Sequence, residues 1–592
     1  MKHLPKSPYL LRPLRRRAAL LPLWAALAGA APGCDDVALP VACSSPDACP
    51  PPSNSIGWAV QIWPASTSGT STGSDSQLPP QELPQLLFDR SGTAELHLRA
   101  PAAVQGSVAT AEEQPLARAR VLAQLPSALL GQSAYTFDTL TTDRPLGTWS
   151  LRLPVPSRPL EQVYRFWVGF DDATLSSQYP PLWIERAISG DGKLPLRLRA
   201  ATELAVVSGR ILDPLNEGVP GLTVQVFDAL GQIVSSTAVS LSAQAGLSGS
   251  FRVLVDPALN GEPGSALKLV ARPGPQSVGL PVLEIPLTPP KAGTTYPQEL
   301  RMPSARKPLL YQLPIRGLGP SGALMPVVGA RVTAQVVLDD KSLPAGERAV
   351  YSASADSDSE GFAHLSLIPG SSGNLTYRVQ VTSPARTPFA SSQQEVQVSV
   401  SGGILQELQL PLRAQLTGRL LDANGQPVPS AQVVAKPIAR ADAPSTLETG
   451  AADSALPQTT TDKDGRFALR LDLGDYDVDF VPQAGTAPRS SLDNQRIATY
   501  DLDLGDVRLP RLALGKLQVY GPSGAPLSQA KLRIFQLPDT SPRFGFACMP
   551  GLPCSRVAKL RAEAFVDSKG RAQFLLPDST PAANLQPPPP LN

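Results

Sequence analysis

Gln415-Leu-Thr-Gly-Arg-Leu-Leu-Asp422, Ala423-Asn-Gly-Gln-Pro427, Ala431-Gln-Val-Val-Ala435, Thr460-Thr-Asp-Lys-Asp-Gly465, Phe467-Ala-Leu-Arg-Leu471 and Tyr476-Asp-Val-Asp-Phe480 follow one another within 66 residues of a 592-residue chain. Successive side chains of a strand point to opposite faces. Phe467, Leu469 and Leu471 therefore share one face, and Tyr476, Val478 and Phe480 share another, with the aspartates opposite. Asn424-Gly425 is a strong signal for a tight hairpin. The alternation predicts an antiparallel sheet with one dry and one wet face.

The same skeleton recurs outward from this stretch. Opening segments run Glu95-Leu-His-Leu to Gly106, Pro195-Leu-Arg-Leu to Gly209, Glu299-Leu-Arg-Met to Gly317, Glu407-Leu-Gln-Leu to Gly418 and Asp506-Val-Arg-Leu to Leu517. The markers 106, 209, 317, 418 and 517 are spaced by 103, 108, 101 and 99 residues. A period that long means tandem small domains, not a solenoid of 20–50-residue units. A strand with Gly before an aromatic recurs at Gly147/Trp149, Gly249/Phe251 and Gly361/Phe362. Closing strands recur at 164–168, 267–270 and 377–381. The fifth unit has no readable closing strand after Phe574-Leu-Leu-Pro577, and Trp58-Ala-Val-Gln-Ile-Trp63 looks like a closing strand with no unit before it. An open sheet edge covers less apolar surface, so the fifth unit is expected to be the least stable.

The run Gly418-Arg-Leu-Leu-Asp422, Asn424-Gly-Gln-Pro-Val-Pro-Ser-Ala-Gln-Val433, Thr461-Asp-Lys-Asp-Gly-Arg-Phe-Ala-Leu469 resembles the carboxypeptidase regulatory-like, or transthyretin-like, domain. The resemblance is best over 415–482. It implies a seven-stranded, Ig-like or prealbumin-like Greek-key β-sandwich that does no chemistry itself. The expected fold is all-β: tandem sandwiches in an elongated, beads-on-a-string array. Its segments are a leader over 1–33, a disordered tether over 34–56 and an N-terminal strand region over 57–98. Sandwiches follow over 99–190, 191–298, 299–406, 407–505 and 506–577, the last incomplete, and then a Pro-rich tail over 578–592.

Pro accounts for 65 residues, about 11% against the usual ~5%. The prolines and glycines fall between short apolar runs, as they do in β-domains with many turns. Residues 1–33 carry Lys2, Lys6, Arg12, Arg15, Arg16 and Arg17 and no acid, then an apolar run from Ala18 to Ala31. That run is too short to span a bilayer, which needs ~20 residues. The ending Ala30-Ala31-Pro32-Gly33-Cys34 resembles a bacterial lipobox, although Pro32 and the missing upstream Leu depart from it. The resemblance implies lipidation of Cys34 and a partner in the membrane. The favoured location is the outer membrane, periplasm or cell surface. Asp35 resembles an inner-membrane retention signal and keeps the inner-membrane periplasmic face open.

Removing six leader bases from 52 leaves 46 against 50 acids, a net charge of −4. With no basic cluster left, nucleic acid is not an expected partner. Cys43 and Cys49, and Cys548 and Cys554, form two Cys-x5-Cys pairs. That spacing suits disulfides in an oxidising envelope better than zinc.

No catalytic residue and no cofactor is expected. His97 and His364 stand outside any zinc-hydrolase motif. Gly69-Thr-Ser-Thr-Gly73 lacks the strand and helix that a nucleophile elbow needs. Asp356 and Asp358, and Asp462 and Asp464, precede glycines as in a calcium loop but lack the far bidentate Glu. They read first as turn residues. Trp63, Trp167, Tyr179 and Trp183 are the candidate contacts to a glycan or a protein partner. Large aromatics usually bury, so packing between modules is the competing reading. The function expected is a lipid-anchored envelope spacer or scaffold that presents a surface for protein interaction or adhesion. A carbohydrate-binding protein is the alternative, and an unrecognised enzyme a distant third.

Overall fold

In the fourth repeat, alternation becomes burial. Along Arg466–Leu471 every second residue is buried, and along Gly474–Val481 Tyr476, Val478 and Phe480 turn inward. They meet Leu416, Leu420, Val433 and Ala435 in one core. This is a computed structural model, and it describes residues 50–578 apart from internal stretches, the longest being 65–77, 439–455 and 538–557. The described residues hold 38 strands and one short helix, Ala173–Gln178. All of them fall in one compact unit, Leu39–Asn592.

Among the described residues the fourth sandwich has seven strands in two sheets. One sheet orders Arg466–Leu471, Ala414–Leu421 and Asp501–Arg508; the other orders Gln458–Thr460, Gln432–Pro437, Gly474–Val481 and Ser490–Ile497. The three-stranded sheet is mixed. Ala414–Leu421 runs antiparallel to Arg466–Leu471 and parallel to Asp501–Arg508. The other repeats follow the same plan, and the tandem Greek-key sandwiches expected from the sequence are present.

Two expectations are corrected. The first concerns boundaries. The Glu-Leu-x-Leu segments taken to open each repeat close the previous one. Thr295–Arg301 pairs in parallel with Ala205–Leu212, and Leu408–Leu410 with Leu309–Leu318. Gly192–Lys193 and Leu196–Arg197 likewise lie against Ala102–Ala109. The first sandwich therefore extends through Leu198, and the later boundaries move by a similar amount. Period-two patterning marks a strand and its faces but carries no information about its partner.

The second correction concerns the fifth unit. It is not incomplete. Trp58–Trp63 pairs antiparallel with Lys531–Gln536, and Gln81–Leu86 lies beyond it. Thr93–His97 pairs in parallel with Leu512–Tyr520. These three N-terminal strands take the places that Gly474–Val481, Ser490–Ile497 and Asp501–Arg508 hold in the fourth sandwich. One core joins Trp58, Val60, Ile62, Leu86, Phe88 and Leu96 to Leu517, Val519, Leu532, Ile534, Phe574 and Leu576. The repeat is permuted across the chain, so no sheet edge is left open for want of a closing strand.

The array is therefore not open-ended. The chain leaves the fifth sandwich at His97, passes through the other four and returns at Leu512. Each pair of neighbours is joined. The amide of Thr237 donates to the Ser176 carbonyl at 2.9 Å between the first and second sandwiches. Val282–Leu287 pairs with Arg348–Asp356, which fuses the second and third into an eight-stranded sheet. Asp472 accepts from the Ser391 amide at 3.2 Å and from Arg413 Nε at 2.9 Å, between the third and fourth. Arg489 meets Glu563 at 2.9 Å between the fourth and fifth. Ala59 and Phe535 of the fifth pack with Leu129 of the first.

Candidate functional site

The joint between the fifth and first sandwiches is built on Glu82. Its Oε1 accepts from Gln61 Nε2 at 2.9 Å, Ser127 Oγ at 2.5 Å and Tyr135 Oη at 2.8 Å. Burial, and then the Glu82 charge, push the Tyr135 phenol well above its ordinary range, so it stays a proton donor to the carboxylate. Beside this joint lies a small cleft, lined in part by Glu82, His97, Arg99, Leu125 and Tyr135. His97 stacks on Tyr520 with centroids 4.7 Å apart. The hydrogen bonds on Glu82 link sandwich to sandwich, which makes it a structural junction. It was not legible beforehand, because Gln-Glu-Leu-Pro-Gln at 81–85 carries no motif.

The acidic candidates are occupied by their own turns. Asp358 Oδ1 accepts from the amides of Glu360 and Phe362, each at 2.9 Å, and Oδ2 faces His364 Nε2 at 3.2 Å. These amides, that of Phe362 foremost, hold its carboxyl below the usual range. Asp462 Oδ1 accepts from Asp464 at 2.9 Å and Arg466 at 2.8 Å. Asp356 pairs with Arg331 at 3.1 Å. The carbonyl of Asp464, not its carboxylate, takes the bond from Arg419. The same Asp-to-amide pair recurs at Asp89, Asp213, Asp422 and Asp567. It is the device that closes this fold's hairpins, with the glycine at the fourth position holding positive φ at Gly361 and Gly465. Among the described residues no group of three or more His, Cys, Asp or Glu is placed to hold a metal ion.

The four aromatic candidates separate. Trp63 ends its strand 37% exposed, its ring centroid 5.8 Å from that of Tyr135, and packs across the joint of the fifth and first sandwiches. Tyr179 leans on Phe170 at 5.9 Å, at the margin of the first core. Trp167 and Trp183 come together. They face each other across neighbouring strands, Val163–Phe170 and Leu182–Ala187, on the face away from the core. Their rings lie 6.4 Å apart at 59°. A Cβ on Gly169 would come within 2.1 Å of the Trp167 ring, so the glycine makes room for that indole. The Arg165 guanidinium sits 4.4 Å from the Trp183 ring centroid. Gly169 and Arg165 were missed in the sequence, although a glycine two residues after an outward Trp was a readable signal. Cys34, Cys43, Cys49, Cys548, Cys554 and the Gly69–Gly73 motif lie outside the described residues.

Among the described residues no helix is long and apolar enough to cross a membrane. No family model matches the chain, and no curated protein matches it. Solved structures do. The chain is similar to the Bacillus anthracis TIE protein at 11% identity, over 67% of this chain and 69% of that one, with a TM-score of 0.16. It is similar to a streptococcal ancillary pilin at 12% identity, over 51% and 98%, with a TM-score of 0.19. For BcpA, the major pilin subunit of Bacillus cereus, the values are 10%, 52%, 99% and 0.13.

Proposed function

We propose that the chain is a non-enzymatic envelope protein, held to a membrane by a lipid on Cys34, whose five sandwiches form a scaffold that presents a binding surface to an envelope partner. The closure of the array carries this reading. In an open string each joint bends by itself. In a closed cycle, movement at one joint demands movement at the others, and here one joint is a continuous sheet. Such an arrangement gives up reach and gains fixed geometry, which suits a scaffold better than a spacer. The lipobox resemblance at Ala30–Cys34 supports the anchor, and the carboxypeptidase regulatory-like resemblance supports a role without catalysis.

Cells fed labelled palmitate test the anchor. Label on the wild-type chain, lost together with membrane recovery in Cys34→Ala, is the expected result. An unlabelled wild-type chain recovered free of membrane would overturn it.

A further inference from the structure

We infer that the outward face of the first sandwich's four-stranded sheet is a glycan-binding surface, with Trp167 and Trp183 as its stacking groups; this rests on the reading of the chain as a binding scaffold. The ligand class is a polysaccharide of β-linked, gluco-configured sugars.

The argument starts from register. Cross-strand partners place Asp138, Leu122, Trp167 and Trp183 in one row across four strands. Thr136, Gln124, Arg165 and Glu185 make the next row on the same face. Thr136, Asp138 and Glu185 are exposed, so this face is open to solvent. Neighbouring strands are ~4.8 Å apart, so the first row runs roughly 14 Å.

Burial and conformation come next. Trp167 and Trp183 are only partly buried, whereas the inward residues of the same strand, Tyr164, Phe166 and Val168, are at most 1% exposed. Gly169 leaves room for the Trp167 indole, whose ring atoms come within 2.1 Å of where a Cβ there would sit. Trp183 is tilted at 59° to it, with the Arg165 guanidinium over its ring. The buried Trp183 Nε1 has no acceptor among the described residues.

Chemistry then selects the occupant. The core of a protein–protein interface tolerates Trp and Arg but is depleted of Glu and Asp. This indole pair adjoins Leu122 and the Arg165 guanidinium, with the Glu185 carboxylate and the Gln124 amide in the next row and Asp138, paired with Arg120, at the far end of its own. A pyranose ring in the gluco configuration matches that mixture. Its axial C–H bonds make an apolar face for the indole, and its equatorial hydroxyls point outward to polar neighbours. Trp suits such mixed surfaces because a large apolar ring carries a polar N–H.

The full-length protein in detergent should be depleted from solution by insoluble chitin, cellulose or purified peptidoglycan. Trp167→Ala and Trp183→Ala should each weaken binding about tenfold or more, as truncation of a central aromatic does. Trp167→Phe should retain part of it, and Trp63→Ala should leave it unchanged. Gly169→Ala, which removes no aromatic, should weaken it by unseating Trp167. Thermal melts check folding, and the Phe variant decides if an Ala variant unfolds. Failure to bind any of the three polymers overturns the inference. So does binding that survives in both Trp→Ala variants, or loss of self-association instead of glycan binding. The lipid label on Cys34 reads the proposed anchor separately, so either can fail alone.

Discussion

Gly209 and Gly418 hold the same place in the second and fourth sandwiches, yet their surroundings differ. Each faces an aromatic on the antiparallel neighbour, Phe251 and Phe467. A Cβ on Gly209 would also lie 1.8 Å from the Gln298 carbonyl oxygen of the parallel closing strand. At Gly418 the closing strand bulges, with Gly505 at φ +64°, and the nearest backbone oxygen retreats to 3.3 Å. A ring edge can move; a paired carbonyl cannot. Gly209→Ala should therefore cost about 3 kcal/mol and Gly418→Ala about 1 kcal/mol, read from denaturant titrations of the two variants. Equal costs would show that the closing strand of the second sandwich is free to shift. The markers were legible in the sequence as a period of about 100. Their cause, a glycine seating an aromatic, was not, because a cross-strand partner is invisible in a one-dimensional pattern. The fifth marker shows this: Leu517 fits the spacing, but Gly515 is the residue opposite Phe574.

Glu563 is a second residue with a measurable role. Burial raises its carboxyl, but hydrogen bonds from Lys531 at 3.1 Å and Arg533 at 2.9 Å, with the charge of Arg489, outweigh that and bring it down from 4.5 to about 2. A depressed folded-state value contributes stability that is complete above the unfolded value near 4.5 and is lost as pH falls toward about 2. The side chain is 24% exposed, so screening reduces the contribution to about 1–2 kcal/mol. Glu563→Gln should destabilise by that amount at pH 7, and its denaturation curve should converge on the wild type's below about pH 2. A gap that persists in acid would assign the loss to packing instead of charge.

At the scale of elements, the strands and their inward faces were the most legible part of the chain. Phe467, read inward from alternation, is 5% exposed and meets Phe480 edge-on with centroids 5.7 Å apart. Phe467→Ala should cost about 3–5 kcal/mol, the usual range for a buried Phe. Calorimetry should show the transition of the fourth sandwich lowered while the fused second and third keep theirs. An unchanged profile would remove Phe467 from the core. The Glu-Leu-x-Leu segments were read as strands correctly and assigned to the wrong repeat. Their pairing is parallel and comes after the four-stranded sheet is complete, so nothing local ties them to their own unit. The tryptophan pair was half legible. Two outward aromatics could be named from alternation, but only register brings Trp167 opposite Trp183, and only the fold sends Trp63 to the joint with Tyr135.

At the scale of the molecule, the decisive contacts join residues more than 400 positions apart, such as Gln61 opposite Arg533. The orphan strand at Trp58 and the unfinished fifth unit were both visible in the sequence, and the structure makes each the answer to the other. Among the described residues the C-terminal segment supplies four strands of this sandwich, and Trp58–His97 supplies three. Without those three, the apolar faces of Leu517, Val519, Leu532 and Ile534 lose their cover, and four strands retain too little buried surface to stay folded. A chain beginning at residue 99 should therefore keep the first four sandwiches, while amides in 512–577 exchange freely with deuterium. A peptide spanning residues 50–98, added to that chain, should restore protection to Lys531–Gln536 and Leu512–Tyr520, its direct partners. The same peptide with Ile62→Asp should not, because Ile62 is fully buried opposite Leu532 and an unpaired carboxylate there is costly. Protection of 512–577 in the shortened chain without peptide would show that the C-terminal strands fold alone and that closure is an addition to a finished domain.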